Sequence, residues 1–394
     1  MPDTLAIDGG TPVRCTPFPA WPVFDETEEN LLLEVLHSGK WGTLSGRKVI
    51  EFEQMFAEFQ HARFGICVPN GTAALELALR ALQIGPGDEV ITTPYTFIAT
   101  SSSVFQTGAR PVYVDIDLAS YNLDATKIEA AITPRTRAIV PVHLGGRPAD
   151  LDAILAVAQK HGLAVLEDAC QAWGSAWRGR RVGAIGELGA FSFQAGKNIT
   201  AGEGGIVITN NPVLAERCWS IHNVGRVRNG AWYQHEVLGM NMRLPEWEGA
   251  ILQAQLKRFP SHMPIRAENV RYLHSLLQAE MPGLVPLTAD ERVTANSNHL
   301  FLLRYQSQYF GGHSREEFLR AMVAEGIDPI SSGYVPLHLS PAIRKTISGT
   351  PPVLPAAEQA GRETIWINQT PFLGSHADMD DILAATLKIQ QAWA

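Results

Sequence analysis

The stretch LGAFSFQAGKNITAGEGGIVIT (188–209) contains two apolar runs joined by a glycine-rich loop that carries a single lysine, Lys197. Neither run alternates polar and apolar residues, which is typical of a strand buried on both faces of a sheet. Five earlier runs have the same character and are likewise predicted as strands. They are GICVP (65–69), DEVITT (88–93), RPVYVD (110–115), RAIVPV (137–142) and LAVLED (163–168).

Helical patterns separate these runs, for example TAALELALRALQ (72–83) and ADLDAILAVAQKHG (149–162). The second pattern ends at Gly162, and glycine is a common stop signal at the end of a helix. Buried strands that alternate with helices predict an α/β fold, in which a mostly parallel central sheet is covered by helices.

The pattern changes after Phe259-Pro260. A helical stretch at about 262–281 leads into HLFLLRYQ (299–306) and REEFLRAMVAEG (315–326), and DMDDILAATLKIQQAWA at the end resembles a closing helix. This order predicts a smaller α+β domain. For a chain of 394 residues, we therefore expect a large α/β domain over 1–258 and a small one over 259–394.

The composition is that of a globular protein, with 45% hydrophobic and 18% charged residues. The net charge of -8 argues against nucleic-acid binding, which requires a basic surface. The first residues, MPDTLAIDGGTPVR, do not have the pattern of a signal peptide, and no apolar run approaches the length of a membrane span. We expect a cytoplasmic protein that has no nucleic-acid or membrane partner.

The cysteines are far apart and form no CxxC pair, so the sequence predicts free thiols and neither a zinc site nor a disulfide framework. Histidines and acidic residues do not cluster at the spacing of metal ligands, and no metal site is predicted. The four cysteines are Cys15, Cys67, Cys170 and Cys218.

Asn70-Gly71-Thr72 follows the first predicted strand and opens the helix TAALELALRAL. The N-terminus of a helix offers free N–H groups and a partial positive charge, which suit a phosphate group. Gly71 allows a ligand to approach the backbone closely. On local grounds alone, Thr72 could instead be a simple N-cap residue.

Asp168 ends the run LAVLED, and ligands of open α/β sheets bind outside the carboxyl ends of the strands. Its carboxylate could pair with a protonated ring nitrogen, or it could cap the next segment. Lys197 follows 29 residues later, and Ser192 precedes it by five. A lysine against a buried sheet end loses solvent, which lowers its pKa and frees the amine to attack an aldehyde. Phosphate site, acidic residue and lysine in this order are the contacts that pyridoxal 5'-phosphate requires.

The sequence resembles the DegT/StrS-type sugar aminotransferase family of fold-type I pyridoxal-phosphate enzymes. The resemblance extends from SGKWGTLSGRKVIEFEQMFAEF (38–59) to GYVPLHLSP (333–341). Its densest motifs are NGTAALELAL, GPGDEVITTPYTFIAT, PVHLGGRPADLDAI, LEDACQAWGS, FSFQAGKNITAGEGG and LGMNMRLPEWEGAI.

The resemblance implies roles for three residues around the cofactor ring. Lys197 matches the Schiff-base lysine, and Asp168 matches the aspartate that pairs with the pyridinium nitrogen. Gln171 matches a residue on the hydroxyl side of the ring. Lys197 and Asp168 are therefore the expected catalytic residues.

The resemblance also implies contacts at the phosphate and on the ring face. Gly71, Thr72 and Ser192 match phosphate contacts, and Phe97 matches the aromatic residue that stacks on the ring. Asn241 matches an asparagine that reaches the phosphate of a neighbouring subunit, since the family forms dimers with shared active sites. Without the resemblance, Phe97 could be a core residue and Asn241 a turn residue.

Further candidates for substrate contacts are His338, Tyr334 and Arg226. His338 and Tyr334 lie in a loop that resembles the family's substrate loop, and Arg226 and Arg228 could bind an anion. A structural histidine remains the alternative for His338 and for His143, and a solvated loop remains the alternative for both arginines.

By the resemblance, the reaction is a transamination in which glutamate or glutamine donates its amino group to a keto sugar, often nucleotide-linked, or to a keto cyclitol. The stretches LAIDGGTPVR and KWGTLSGRKV resemble the branch that serves aminocyclitol and other antibiotic-type pathways, and polysaccharide biosynthesis is a second setting. One alternative is a sugar dehydratase or lyase of the same fold, although the dehydratases replace the lysine by histidine. The other is a non-catalytic regulator, which the acidic charge disfavours.

Overall fold

The computed structural model describes residues 4–347 and 349–393, which form fourteen β-strands and eleven α-helices. The strands are β1 (Phe64–Val68), β2 (Glu89–Thr92), β3 (Arg110–Tyr113), β4 (Thr136–Val140), β5 (Ala164–Asp168), β6 (Ala176–Trp177), β7 (Arg180–Arg181), β8 (Leu188–Ser192), β9 (Gly205–Thr209), β10 (Leu284–Pro286), β11 (Val293–Ala295), β12 (Leu300–Tyr305), β13 (Ile330–Ser332) and β14 (Thr364–Asn368). The helices are α1 (Glu26–Ser38), α2 (Lys48–Phe59), α3 (Gly71–Ala81), α4 (Ala99–Gln106), α5 (Leu151–His161), α6 (Pro212–His222), α7 (Glu246–Glu280), α8 (Arg315–Ala324), α9 (Pro341–Thr346), α10 (Pro355–Glu363) and α11 (His376–Trp393).

Seven strands form the central sheet in the order β1-β9-β8-β5-β4-β2-β3. Strand β9 runs antiparallel to both of its neighbours, and the other pairs are parallel. These are the seven runs that the sequence predicts as buried strands, so the α/β fold with a mostly parallel sheet is confirmed. Strands β5 and β8 are direct neighbours, and Asp168 pairs with Ala190. The loops that follow these two strands therefore begin at the same edge of the sheet.

Helices cover both faces of this sheet, which explains the apolar runs. On β9, Val207 packs into a core with α3 and α6, whereas Ile206 and Ile208 pack with α2 and α7 on the opposite face. Successive side chains of a strand point to opposite faces, so a strand that is buried on both sides needs no polar alternation. The expected stop of α5 at Gly162 is also confirmed, because Gly162 has a φ of 64° at the C-cap.

Helix α7 differs from the sequence prediction. The expected helix began at about residue 262, whereas α7 is continuous from Glu246 to Glu280 and contains Pro260 and Pro264. Proline removes one backbone donor and disfavours a helix interior. Apolar residues on both sides of the prolines, such as Phe259 and Leu273, are buried against the rest of the molecule, and this packing outweighs the local preference.

The second sheet is antiparallel, with the order β10-β12-β14-β13. Its core includes residues of α7, α8 and α11 and also Leu5 from the start of the chain. The predicted strand at 299–306 and the predicted helices at 315–326 and at the end of the chain correspond to β12, α8 and α11. The division into domains at residues 258 and 259 stays a prediction, and α7 crosses this position without interruption.

The four cysteines are free thiols. Within residues 4–347 and 349–393, no three histidine, cysteine or acidic side chains are grouped as metal ligands would be. None of the helices in the same ranges combines the length and the apolar character that crossing a membrane requires.

Candidate active site

A cavity of about 730 Å³ lies at the carboxyl ends of β5 and β8, beside the first turn of α3. Eight of the residues predicted for the site line it, namely Gly71, Thr72, Phe97, Asp168, Gln171, Ser192, Lys197 and Tyr334. The other lining residues are Asn70, Leu75, Thr96, Ala99, Thr100, Val142, Cys170, Gln194 and Glu203. The structure thus brings together residues that the sequence spreads over more than half of the chain.

Lys197 lies in the loop between β8 and β9, where its N–H donates to the carbonyl of Gln194 over 2.9 Å. Its Nζ lies 5.9 Å from the ring centre of Trp173. Burial of the amine lowers the pKa of Lys197, and the nearby Cys170 and Asp168 oppose this shift only in part. A larger share of the amine is therefore neutral and nucleophilic than in a solvated lysine.

Asp168 ends β5 and is 5% exposed. One carboxylate oxygen accepts a hydrogen bond from the hydroxyl of Thr100 over 2.8 Å, and the other accepts one from the N–H of Cys170 over 3.3 Å. These bonds fix the orientation of the carboxylate within the cavity wall. Such a fixed carboxylate can hold a proton on a ring nitrogen.

The first turn of α3 lines the same cavity. Asn70 is the N-cap, because its side chain accepts from the N–H of Ala73 over 2.9 Å. The alternative that Thr72 caps the helix is therefore wrong. Among the described residues, the N–H groups of Gly71 and Thr72 have no hydrogen-bond acceptor and remain available for a ligand. A Cβ atom at residue 71 would lie 2.7 Å from the Cβ of Ser192, so only glycine fits this approach of α3 to β8.

Gln171 and Tyr334 form one side wall. The Gln171 side chain accepts from the N–H of Gly145 over 2.6 Å and donates to the Tyr334 hydroxyl over 3.1 Å. Burial raises the pKa of Tyr334 to about 12, so its hydroxyl remains protonated and can donate a hydrogen bond at neutral pH. Phe97 lies at the opening with 57% of its surface exposed, where its ring is free to cover a flat ligand.

Three predicted residues lie outside this cavity. Asn241 is exposed, and its backbone forms an isolated antiparallel β-bridge with Asn223. His338 is 2% exposed and contacts the carboxylate of Glu358 at 3.3 Å in the wall of a different cavity. Arg226 lines a third cavity, where its guanidinium stacks on a tryptophan ring.

The contacts of His143 and Arg228 favour a structural or surface role over a role in the site. His143 is fully buried and bonded to Glu167 over 2.9 Å, which is the pattern of a structural histidine. Arg228 is exposed and forms an ion pair with Glu216 at 2.8 Å.

The sequence reasoning missed Thr100, Cys170 and Glu203 as lining residues. All three lie within motifs that carried the family resemblance, but their apolar or glycine-rich surroundings gave no sign of a role. The contact between Thr100 and Asp168 joins residues 68 positions apart, so no local pattern reports it.

The residues of the cavity fit pyridoxal 5'-phosphate. The free N–H groups of α3 and Ser192 suit its phosphate, the fixed carboxylate of Asp168 suits its ring nitrogen, and the amine of Lys197 suits its aldehyde. All of these groups line one cavity.

The comparisons with known proteins agree with this assignment. The model of the DegT/DnrJ/EryC1/StrS aminotransferase family matches residues 22–386. The L-glutamine:2-deoxy-scyllo-inosose aminotransferase of Streptoalloteichus tenebrarius is 38% identical over 99% of this chain and 98% of its own. The dTDP-3-amino-3,4,6-trideoxy-alpha-D-glucose transaminase of Streptomyces venezuelae is 41% identical over 87% of this chain and 86% of its own.

The fold of the whole chain also matches solved structures. The crystal structure of 3-amino-5-hydroxybenzoic acid synthase superposes with a TM-score of 0.88 at 34% identity, covering 95% of this chain and all of that one. The structure of DesV from S. venezuelae gives a TM-score of 0.84 at 38% identity, covering 94% and 98%. The fold is therefore that of fold-type I pyridoxal-phosphate aminotransferases. On this evidence the chain belongs to the DegT/DnrJ/EryC1/StrS aminotransferase family and is a pyridoxal-phosphate-dependent aminotransferase.

Proposed function

We propose that this aminotransferase moves an amino group from glutamine or glutamate to a keto sugar, often nucleotide-linked, or to a keto cyclitol, and that Lys197 binds the cofactor. The observation that carries the proposal is the position of the Lys197 amine, which shares one cavity with the Asp168 carboxylate and the free end of α3. Burial that lowers the pKa of Lys197 supports its role as a nucleophile.

The bound cofactor supplies an electron sink for the electrons of the breaking C–H bond. Asp168 would hold the proton on the ring nitrogen, and the N–H groups of Gly71 and Thr72, with Ser192, would anchor the phosphate. Phe97 would cover the ring face, and Gln171 would contact the hydroxyl side of the ring. The Nζ atom of Lys197 would take the proton from the α-carbon of the donor as general base and would pass it to the bound cofactor as general acid.

Glutamine is the donor we expect to be preferred, because the name of the 2-deoxy-scyllo-inosose relative specifies it. The relatives at similar identity act on a keto cyclitol or make a dTDP-linked amino sugar, so both acceptor classes are proposed. A spore coat polysaccharide biosynthesis protein of Bacillus subtilis is also 38% identical over 93% of this chain. We propose a role in antibiotic or polysaccharide biosynthesis in the cytoplasm.

The dehydratase and the regulator are not favoured. Lys197 occupies the position where the dehydratase relatives have histidine, and the named relatives are aminotransferases and biosynthetic enzymes. Among the substrate candidates, we retain Tyr334, which lines the cavity that contains Lys197. His338 and Arg226 line two other cavities.

We also propose a homodimer in which Asn241 contacts the cofactor phosphate of the neighbouring subunit. The exposed position of Asn241, outside the cavity of its own subunit, supports this arrangement. Exposed apolar residues in the same region, such as Trp232, Tyr233 and Leu238, are typical of a surface that is covered by another chain.

The test uses the protein loaded with pyridoxal phosphate. L-Glutamine, L-glutamate and L-alanine are added separately, and loss of the visible absorbance band identifies the donor. The aminated protein is then mixed with 2-deoxy-scyllo-inosose or a dTDP-linked keto sugar, and recovery of the band identifies the acceptor. Bleaching by glutamine or glutamate and recovery with one acceptor is the expected result. Formation of a dehydrated sugar without any amino donor would contradict the proposal.

A further inference from the structure

His299 lies just before β12 and connects the second sheet to the loop that carries Lys197. Its Nδ1 atom lies 2.9 Å from Oδ1 of Asn198, the residue next to Lys197. The ring also packs against Trp173 in a T-shaped contact, with 5.6 Å between the ring centres. Trp173 in turn lies below the amine of Lys197. His299 thus contacts both the neighbour of Lys197 and the ring beneath its amine.

The hydrogen bonds of Asn198 determine which nitrogen of His299 carries a proton. The side-chain NH₂ of Asn198 donates to the carbonyl of Ser297 over 2.8 Å, and a carbonyl can only accept. The remaining Oδ1 of Asn198 must therefore accept from Nδ1–H of His299. Neutral His299 consequently has its proton on Nδ1, and its Nε2 carries the lone pair.

The surroundings of His299 favour this neutral form. The residue is 8% exposed, and its partner is an amide rather than a carboxylate. Burial lowers the pKa of His299 well below its usual range, and the charges of Lys197 and Arg266 add to this effect. The bond to Asn198 therefore persists over the whole neutral pH range.

We propose that His299 is a positioning residue for Lys197, which holds the lysine loop through Asn198 and keeps water away from the amine by packing on Trp173. This inference rests on the proposed cofactor-binding role of Lys197 and extends it to a residue 102 positions away. No contact between His299 and the cofactor is part of the proposal. The residue acts through Asn198 and Trp173 alone.

The proposal predicts a specific change in the reactivity of Lys197. Replacing His299 by alanine removes the bond and opens space for water, so the desolvation that lowers the pKa of Lys197 is partly lost and this pKa rises. The other titratable groups that line the cavity are Asp168 at the end of β5, Cys170, Glu203 and Tyr334, and the variant leaves them in place.

The experiment measures the rate at which pyridoxal phosphate attaches to Lys197 in the full chain stripped of cofactor. Borohydride stops the reaction at each time and pH, and peptide mapping quantifies the modified lysine. At pH 8 we expect the rate to fall about tenfold in His299→Ala and Asn198→Ala, the loss typical of one hydrogen bond, and the pH midpoint to move upward. In the loaded enzyme, kcat falls, whereas KM for L-glutamine changes little.

Two variants separate positioning from a general loss of stability. His299→Asn places an amide N–H near the position of Nδ1, and we expect it to recover most of the rate. Leu303→Ala in the adjoining strand β12 creates a hole in the core of the second sheet, so it should lower the melting temperature without altering the pH midpoint.

The outcomes distinguish this proposal from the proposed function. If Lys197 is modified in the wild type and both His299→Ala and Asn198→Ala match its rate and pH midpoint, the positioning role is wrong and the proposed function stands. If the wild type is modified at another lysine, the proposed role of Lys197 fails, and this inference fails with it.

Discussion

At the scale of single residues, Asp168 is predicted to be indispensable and Thr100 to support it. Asp168→Asn removes the charge that holds a proton on the cofactor ring, and we expect kcat to fall at least about 100-fold, as for other lost electrostatic contacts in active sites. Thr100→Val removes one hydrogen bond to the carboxylate, and a decrease of about tenfold is expected. Steady-state kinetics with the loaded enzyme measures both effects.

The control for Thr100→Val lies on the same stretch of chain. The Thr107 hydroxyl is buried as well, but both of its partners are backbone groups: it donates to the carbonyl of Val104 and accepts from the N–H of Ala109. Thr107→Val should therefore retain the wild-type kcat. An equal loss in both valine variants would show that the effect of Thr100 is structural and not electrostatic.

The lowered pKa of Lys197 predicts a pH-dependent stability difference in the cofactor-free protein. In the unfolded chain, the Lys197 amine is protonated below its ordinary pKa of 10.5. In the folded protein, burial makes the protonated amine less stable than the neutral one. Below pH 10.5 the burial of Lys197 therefore lowers the free energy of unfolding of the wild type. This loss of stability grows as the pH falls toward the pKa of Lys197 in the folded protein. Lys197→Met should raise the melting temperature at pH 7, and the gain should vanish above pH 10.5. A gain that is constant with pH would indicate a packing effect instead.

The sequence alone could single out Lys197, Asp168 and Gly71 as candidates, because Asp168 ends an apolar run, Gly71 opens a helix, and Lys197 is the lysine of the glycine-rich loop between two apolar runs. His299 and Thr100 could not be found in this way. Their roles arise from contacts with residues 101 and 68 positions away, and such contacts exist only after the sheet has formed.

At the scale of elements, the N-terminus of α3 is predicted to couple helix stability to cofactor affinity. Asn70→Ala removes the cap of α3 and should lower the free energy of unfolding by about 1 kcal/mol. Because the freed N–H groups adjoin the phosphate site, the dissociation constant for pyridoxal phosphate should rise as well. Thermal unfolding and cofactor titration measure the two effects.

Helix α6 offers a matched control, since Asn211 caps it through the N–H groups of Val213 and Leu214 at a distance from the cavity. Asn211→Ala should cause a similar loss of stability and leave the cofactor affinity unchanged. If it weakened cofactor binding as strongly as Asn70→Ala, the coupling would not be specific to α3.

Element boundaries were predictable where local and tertiary preferences agree. The cap of α5 and the limits of the central strands follow from glycine and from apolar runs. Helix α7 was mispredicted because Pro260 is a strong local stop signal, whereas the packing of Phe259 and Leu273 that overrides it is tertiary.

At the scale of the whole molecule, the first residues of the chain are predicted to stabilise its last helix. Arg14 is 7% exposed and forms ion pairs of 2.7 Å with Asp378 and Asp381 of α11. Arg14→Ala leaves two partly buried carboxylates without this partner, and the free energy of unfolding should fall by about 2–3 kcal/mol. The exposed pair of Arg47 and Glu51 is the comparison, and Arg47→Ala should change stability by less than about 0.5 kcal/mol.

If the protein is a dimer with shared active sites, two inactive variants should restore activity to each other when their subunits are mixed. Lys197→Ala and Asn241→Ala should each lose most activity as pure proteins. In a mixed dimer, the subunit with intact Lys197 receives intact Asn241 from its partner, so one of the two sites is complete. After subunit exchange in an equal mixture, about a quarter of the wild-type activity should return, because half of the dimers are mixed and each has one complete site. If Asn241 instead served the site of its own subunit, both sites of the mixed dimer would remain defective and mixing would restore nothing.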